Sequence, residues 1–183
     1  VAAMRTARMA NAEAPLAHWV AGRPGDVRAR QLLAEAYQLA GQREQAIEQY
    51  ERLTTLPAAA FADLNNLAWL YYELGDDRAE DTARRAYDLA ANNPAVVDTY
   101  GWVLTQKGKV AEGLQALTKA VKLAPDNPDI RYHQAAALAL SGADRRALSL
   151  LDALLQSSPA FASRVAAEQL RHELASRAQA SAN

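Results

Sequence analysis

Four glycines constrain this chain more than any other feature. Gly41, Gly75, Gly108 and Gly142 are separated by 34, 33 and 34 residues, and each divides two stretches whose apolar residues recur at helical spacing. Aligned on these glycines, Leu33-Ala34, Leu67-Ala68, Tyr100-Gly101 and Gln134-Ala135 superpose, and so do Tyr37, Tyr71, Leu104 and Leu138 one turn later. After the glycines, Ala46, Ala79, Gly113 and Ala147 coincide, followed by Tyr50, Ala83, Leu117 and Leu151. The unit is clearest between Pro94 and Asn127. There Val97, Tyr100, Gly101 and Leu104 mark one helix, Gly113, Leu114, Leu117, Ala120, Val121 and Leu123 a second, and Pro125 closes the pair. Small residues at fixed places let paired helices approach closely, and the larger ones fill the space between them. One such pair cannot bury both its faces, so it must stack on its neighbours.

A period near 34 with this placement of small residues resembles the tetratricopeptide-repeat family over roughly the whole chain. The resemblance implies an all-α fold, a right-handed α-solenoid of helix-turn-helix repeats with a C-terminal capping helix. Repeats are expected at 27–60, 61–93, 94–127 and 128–161, with a partial repeat over 1–26, a capping helix over 162–176 and a frayed tail over 177–183. In the partial repeat, Leu16, Trp19 and Val20 are expected in the core and Asn11 as a helix cap. The chain begins at Val1. It is therefore expected to be cut from something longer, leaving an N-terminal end open to self-association. Repeat 61–93 is one residue short, and Pro57 stands one residue early in the preceding join. Arg30 and Arg131 occupy places where the family prefers tryptophan, and Gln134 one where it prefers leucine. In the cap, Phe161, Val165, Ala166, Leu170 and Leu174 are expected to face the core. Arg164, Glu168, Arg171, Glu173 and Arg177 are expected to face away.

Composition removes several function classes. A net charge of −1 gives no electrostatic reason to bind nucleic acid. There is no cysteine, hence no disulfide, thiolate metal site or cysteine nucleophile. His18, His133 and His172 stand far apart without partners at metal or triad spacing, and every glycine is accounted for by turns or helix contacts rather than a phosphate loop. Asp76 and Asp77 read as helix caps and Glu80/Arg84 and Asp81/Arg85 as a solvated face. No run is long enough to span a membrane. The expectation is a protein with no catalytic residues, no metal and no cofactor.

What remains is a binding surface. In the tetratricopeptide family certain first-helix positions line a concave groove that holds a protein or peptide segment. By register these are Gln31, Glu35 and Gln38, then Asn65, Trp69 and Tyr72, then Asp98, Trp102 and Thr105, then Tyr132, Ala136 and Ala139, with Asp129 a turn earlier. Trp69 and Trp102 are either rigid anchors for a partner or core residues packed on the next repeat. Glu35, Asp98 and Asp129 argue against the chaperone-binding subtype, whose groove clamps carboxylates with lysine and asparagine.

A narrower resemblance rests on NNLAWLYYELGD (65–76), RRAYDLAANNPAVVDTYGWVLTQKG (84–108) and KAVKLAPDNPDIRYHQAAALALSG (119–142). These are similar to the C-terminal repeats of bacterial PEP-CTERM-system tetratricopeptide proteins, predicted envelope lipoproteins encoded with exosortase and exopolysaccharide genes. That resemblance implies a scaffold in an export or sorting machine, periplasmic or associated with the outer membrane. Two other roles are a carbohydrate-contacting module, with Trp69, Trp102 and Tyr132 stacking on polysaccharide, and a self-associating spacer.

Overall fold

The computed structural model describes residues 11–56 and 60–180. Among these residues every regular element is a helix: α1 (Glu13–Gly22), α2 (Val27–Leu39), α3 (Arg43–Thr54), α4 (Phe61–Glu73), α5 (Ala79–Leu89), α6 (Pro94–Gln106), α7 (Val110–Leu123), α8 (Pro128–Leu140), α9 (Asp144–Ser157) and α10 (Arg164–Ala180). The contacts divide the chain into two compact units, Val1–Arg85 and Ala86–Asn183. In the first, α1 packs on α2, α2 on α3 and α3 on α4. In the second, each of α6 to α10 packs on the next, and the alternate helices α6, α8 and α10 also meet in succession.

The glycine period has a single structural cause. Gly41, Gly75, Gly108 and Gly142 all have φ between 69° and 83°, the left-handed region where a side chain is costly. Each follows a helix. The amide after it reaches back to a carbonyl five residues earlier: Gln42 to Tyr37 (2.9 Å), Asp76 to Tyr71 (2.8 Å), Lys109 to Leu104 (2.9 Å) and Ala143 to Leu138 (2.9 Å). The glycine amide bonds the carbonyl three residues before it, which completes the Schellman ending. Helix starts are equally local. Asp26 Oδ1 accepts from the Ala29 amide (2.9 Å), and Asn93 and Asn127 cap α6 and α8 ahead of a proline at the first helical position. The Ala29 amide and then the Trp19 indole hold the Asp26 carboxyl below its ordinary pKa.

The small-residue positions are contact points between helices. A Cβ on Gly101 would lie 2.9 Å from Leu117 Cγ and 3.0 Å from the Gly113 carbonyl oxygen. One on Gly113 would overlap Thr105 Oγ1 and stand 2.7 Å from the Gly101 oxygen. Helices α6 and α7 therefore touch backbone to backbone. Ala34, Ala46, Ala68, Ala135 and Ala147 are all fully buried at the corresponding places. Where the family prefers tryptophan, Arg30 is buried with its guanidinium donating to Gln49 Oε1 and the Pro24 carbonyl, both at 2.8 Å. Burial lowers its pKa from the ordinary arginine value. A hydrogen-bonded planar cation thus takes the place of a ring. Gln134, in a leucine position, donates to Thr118 Oγ1 (3.2 Å).

Several local expectations need correction. Asn11 does not cap α1. Its φ is 63°, the cap position belongs to Ala12, and no side chain bonds the first amides. Trp19 is 46% exposed: its indole donates to Asp26 (2.9 Å) and Arg23 stacks on its face, while Val20 enters the core. In α10 the buried residues are Ala167 and Leu174, and Val165 is 65% exposed. Leu174 is buried as expected and Phe161 and Leu170 pack against the same core, while Ala167 rather than Val165 enters it. The helix also runs to Ala180, well into the stretch expected to fray. The join around Pro57 lies outside the described residues.

Candidate functional site

The expected groove residues have different fates in the two units. In the first unit Gln31 and Gln38 are tied into internal bridges. Gln31 donates to Asp63 Oδ2 (3.0 Å), a carboxylate only 5% exposed that sequence reasoning missed. Asn66 donates to the Tyr50 hydroxyl (3.0 Å), and that hydroxyl donates to Gln38 Oε1 (3.2 Å), so one chain of bonds joins α4, α3 and α2. Glu35 and Gln38 border a depression of about 380 Å³ with Asn66 and Leu70, crossed by the Arg43–Glu73 ion pair (2.9 Å). Trp69 and Tyr72, half-buried, lie 5.5 Å apart ring to ring. The side-chain carbonyl of Asn65 is buried without a hydrogen-bond partner.

In the second unit, four expected residues, Trp102, Tyr132, Ala136 and Ala139, meet at one place. Trp102 on α6 and Tyr132 and Ala136 on α8 line a cleft of about 360 Å³. Ala139 and Leu140 extend its α8 wall, and Leu170 and Arg177 of α10 close the far side. Leu140 is 57% exposed there. The wall is rigid for a reason visible in its bonds. Trp102 stacks on the His133 imidazole at 4.3 Å, with Tyr132 tilted against both rings. His133 Nδ1 lies 2.9 and 3.0 Å from the Asp98 carboxylate oxygens. A carboxylate can only accept, so the imidazole proton sits on Nδ1. Both side chains are nearly buried, and the pair orients the ring on which the indole rests.

This arrangement revises several expectations. Trp102 is 8% exposed, so it presents an edge to the cleft while its face is taken by His133. Asp98 is an internal acceptor and does not project as a groove charge. Thr105 is turned away from the cleft. It is 2% exposed, its hydroxyl donates to the Gly101 carbonyl (2.8 Å), and it lies against Gly113. Asp129 accepts from the Ser163 amide (2.8 Å) and so holds the turn that launches α10. His133 is not a lone histidine. Glu173 and Arg177, expected on an outward face, border the cleft, as do Gln106, Ala166 and Gln169. The signal that could have found them is the spacing of Ala166, Leu170, Glu173 and Arg177, which puts all four on one side of α10.

Among the described residues no cluster of histidine, cysteine or acidic side chains could hold a metal ion, and no helix is long and apolar enough to cross a membrane. The cleft offers apolar surface, aromatic edges, amides and one ion pair. That is recognition chemistry.

A tetratricopeptide-repeat family model matches residues 104–169, and a second model of the same repeat matches residues 27–59. This is a chain of tetratricopeptide repeats. Its fold is similar to that of YrrB, described as a TPR protein with an unusual peptide-binding site (TM-score 0.69, 17% identity, covering 88% of this chain and 84% of that one). It is also similar to the MamA protein (TM-score 0.70, 17% identity, 82% of each chain) and to TTC0263, a thermophilic TPR protein of Thermus thermophilus (TM-score 0.69, 21% identity, 93% and 90%). At these identities the likeness shows the fold alone. No curated protein sequence matches the chain. Proteins built from this repeat are generally protein-interaction scaffolds.

Proposed function

We propose that this tetratricopeptide chain is a non-catalytic scaffold that takes a peptide segment of a partner protein in the second-unit cleft. The observation that carries the reading is the cleft itself. It is a recess of mixed apolar and polar lining between α6, α8 and α10, with an exposed leucine, Leu140, on a wall backed by the Trp102–His133–Asp98 stack. A recess of this kind suits one apolar side chain and the peptide bonds beside it. Carbohydrate stacking fits less well, because the His133 ring already covers a face of the Trp102 indole. That YrrB is described as having a peptide-binding site agrees with a peptide occupant. The resemblance of 65–76, 84–108 and 119–142 to PEP-CTERM-system repeats supports a setting in exopolysaccharide export or protein sorting, at the periplasmic or outer-membrane side of a bacterial envelope.

Peptides selected on the immobilised chain from a random display library provide the test. They should carry an apolar anchor and lose about tenfold in affinity on Leu140→Asn, the equivalent of about 1.4 kcal/mol. The thermal midpoint of that variant should not change. Selected peptides that bind Leu140→Asn undiminished would refute the cleft. Fractionation of the native protein to the cytosol would refute the envelope setting and leave the cleft standing.

A further inference from the structure

A second recess of about 590 Å³ adjoins the cleft in the same unit, between the start of α9 and the end of α10. Its floor is apolar, with Leu148, Leu174 and Ala178, and its rim carries Arg145, Arg146 and Arg177 against one carboxylate, Asp144. Arginine elsewhere in this chain is mostly engaged internally. Arg43 meets Glu73, Arg52 meets Glu48, Arg78 meets Asp76 and Glu51, Arg164 meets Glu168, and Arg171 meets Asp152. Arg145 and Arg146 depart from that habit. Among the described residues neither guanidinium meets a carboxylate or any other acceptor. Arg177 contacts Glu173 loosely, at 3.9 Å. It also lines both recesses, so its side chain stands between the cleft and the arginine-rimmed recess.

We infer that the partner segment is acidic on one side of its apolar anchor, and that its carboxylates lie along Arg177, Arg145 and Arg146. This rests on the peptide reading of the cleft and adds the chemistry of the occupant. Guanidinium forks pair with carboxylates in a two-pronged geometry, and arginines around an apolar floor give both charge complementarity and a low-dielectric seat. Two acidic groove residues are already engaged at this end, and the carboxylate at the cleft rim, Glu173, faces Arg177 at 3.9 Å. Asp98 is engaged by His133, and Asp129 is held by the Ser163 amide. A nucleic acid would need a longer basic track than three arginines on a chain of net charge −1.

The test uses the full chain and two synthetic peptides, a leucine-anchored one followed by glutamates and the same peptide with glutamines, alongside a single-stranded oligonucleotide. The glutamate peptide should bind at least about tenfold more tightly than the glutamine peptide at low salt, and the gap should narrow as salt screens it. The charge-reversed double variant Arg145→Glu/Arg146→Glu should abolish the gap, with the glutamine peptide's affinity and the thermal midpoint unchanged. Equal binding of the two peptides, with Leu140→Asn weakening both, would overturn the acidic partner and leave the cleft intact. A gap that survives charge reversal would overturn the role of these arginines. An oligonucleotide that binds more tightly than the glutamate peptide, with the same dependence on Arg145 and Arg146, would replace the peptide with a polyanion. Failure of both peptides to bind would remove this inference and the cleft reading together.

Discussion

The two units present the same repeat positions and use them differently. In the first, Gln31, Gln38 and Asn66 are engaged in hydrogen bonds to Asp63 and Tyr50, and the Arg43–Glu73 pair bridges the depression beside them. In the second, the polar residue at the equivalent place, Asp98, is drawn inward by His133, and the cleft beside it is lined by Ala136, Ala139, Leu140 and Leu170 together with Gln169, Glu173 and Arg177. Apart from the buried Asn65 carbonyl, the polar groups named on that first face are already bonded within the unit. The apolar part of the cleft gains from being covered. Under the proposed reading one surface mainly stabilises and the other binds, and substitutions can separate the two.

The largest expected effect is at the backbone contact inside the second unit. Gly113→Val would drive a side chain into Thr105 and the Gly101 carbonyl, and it should cost about 3 kcal/mol or more, read as a fall in thermal midpoint. Gly101→Leu should behave similarly. At Ala68, the matching buried site of the first unit, leucine should also destabilise, by roughly 1–3 kcal/mol. If Gly113→Val left stability unchanged, the close approach of α6 and α7 would be disproved.

Next in size is the pair behind the cleft. His133→Ala leaves the Asp98 carboxylate buried without its donor and removes the ring under Trp102. It should cost on the order of 2–3 kcal/mol and weaken peptide binding as well. In the first unit Gln31→Ala removes a donor from buried Asp63 and should cost about 1 kcal/mol, with no effect on binding. Arg43→Ala breaks only an exposed ion pair, and the midpoint of its urea titration should barely move. A first-unit variant that lost binding while keeping its stability would erase the distinction between the units.

What the sequence revealed and what it hid follow from distance along the chain. The turn glycines were legible because a Schellman ending is made within six residues and requires a left-handed φ at one of them. The small-residue contacts were legible because they recur with the same period. The Asp98–His133 pair was not, since its members stand 35 residues apart, across a repeat boundary and off the register used to align repeats. Trp69 and Trp102 occupy one register position, yet only the residues of the next repeat decide what covers each ring, and for Trp102 that residue is His133. Thr105 was misplaced because glycine at 113 draws the two helices together around it. The orientation of α10 depends on Ala167 and Leu174 fitting against α8 and α9, which a single helix's periodicity does not specify.

The central claim is that binding belongs to the second unit's α6–α8–α10 face. Amide NMR of the full chain, titrated with a leucine-anchored glutamate peptide, tests it most directly. The account predicts shift changes confined to residues around Trp102, Gln106, Tyr132, Ala139, Leu140, Leu170 and Arg177, with the amides of Gln31, Glu35, Gln38 and Asn66 unmoved. Shifts centred on those first-unit residues would contradict it.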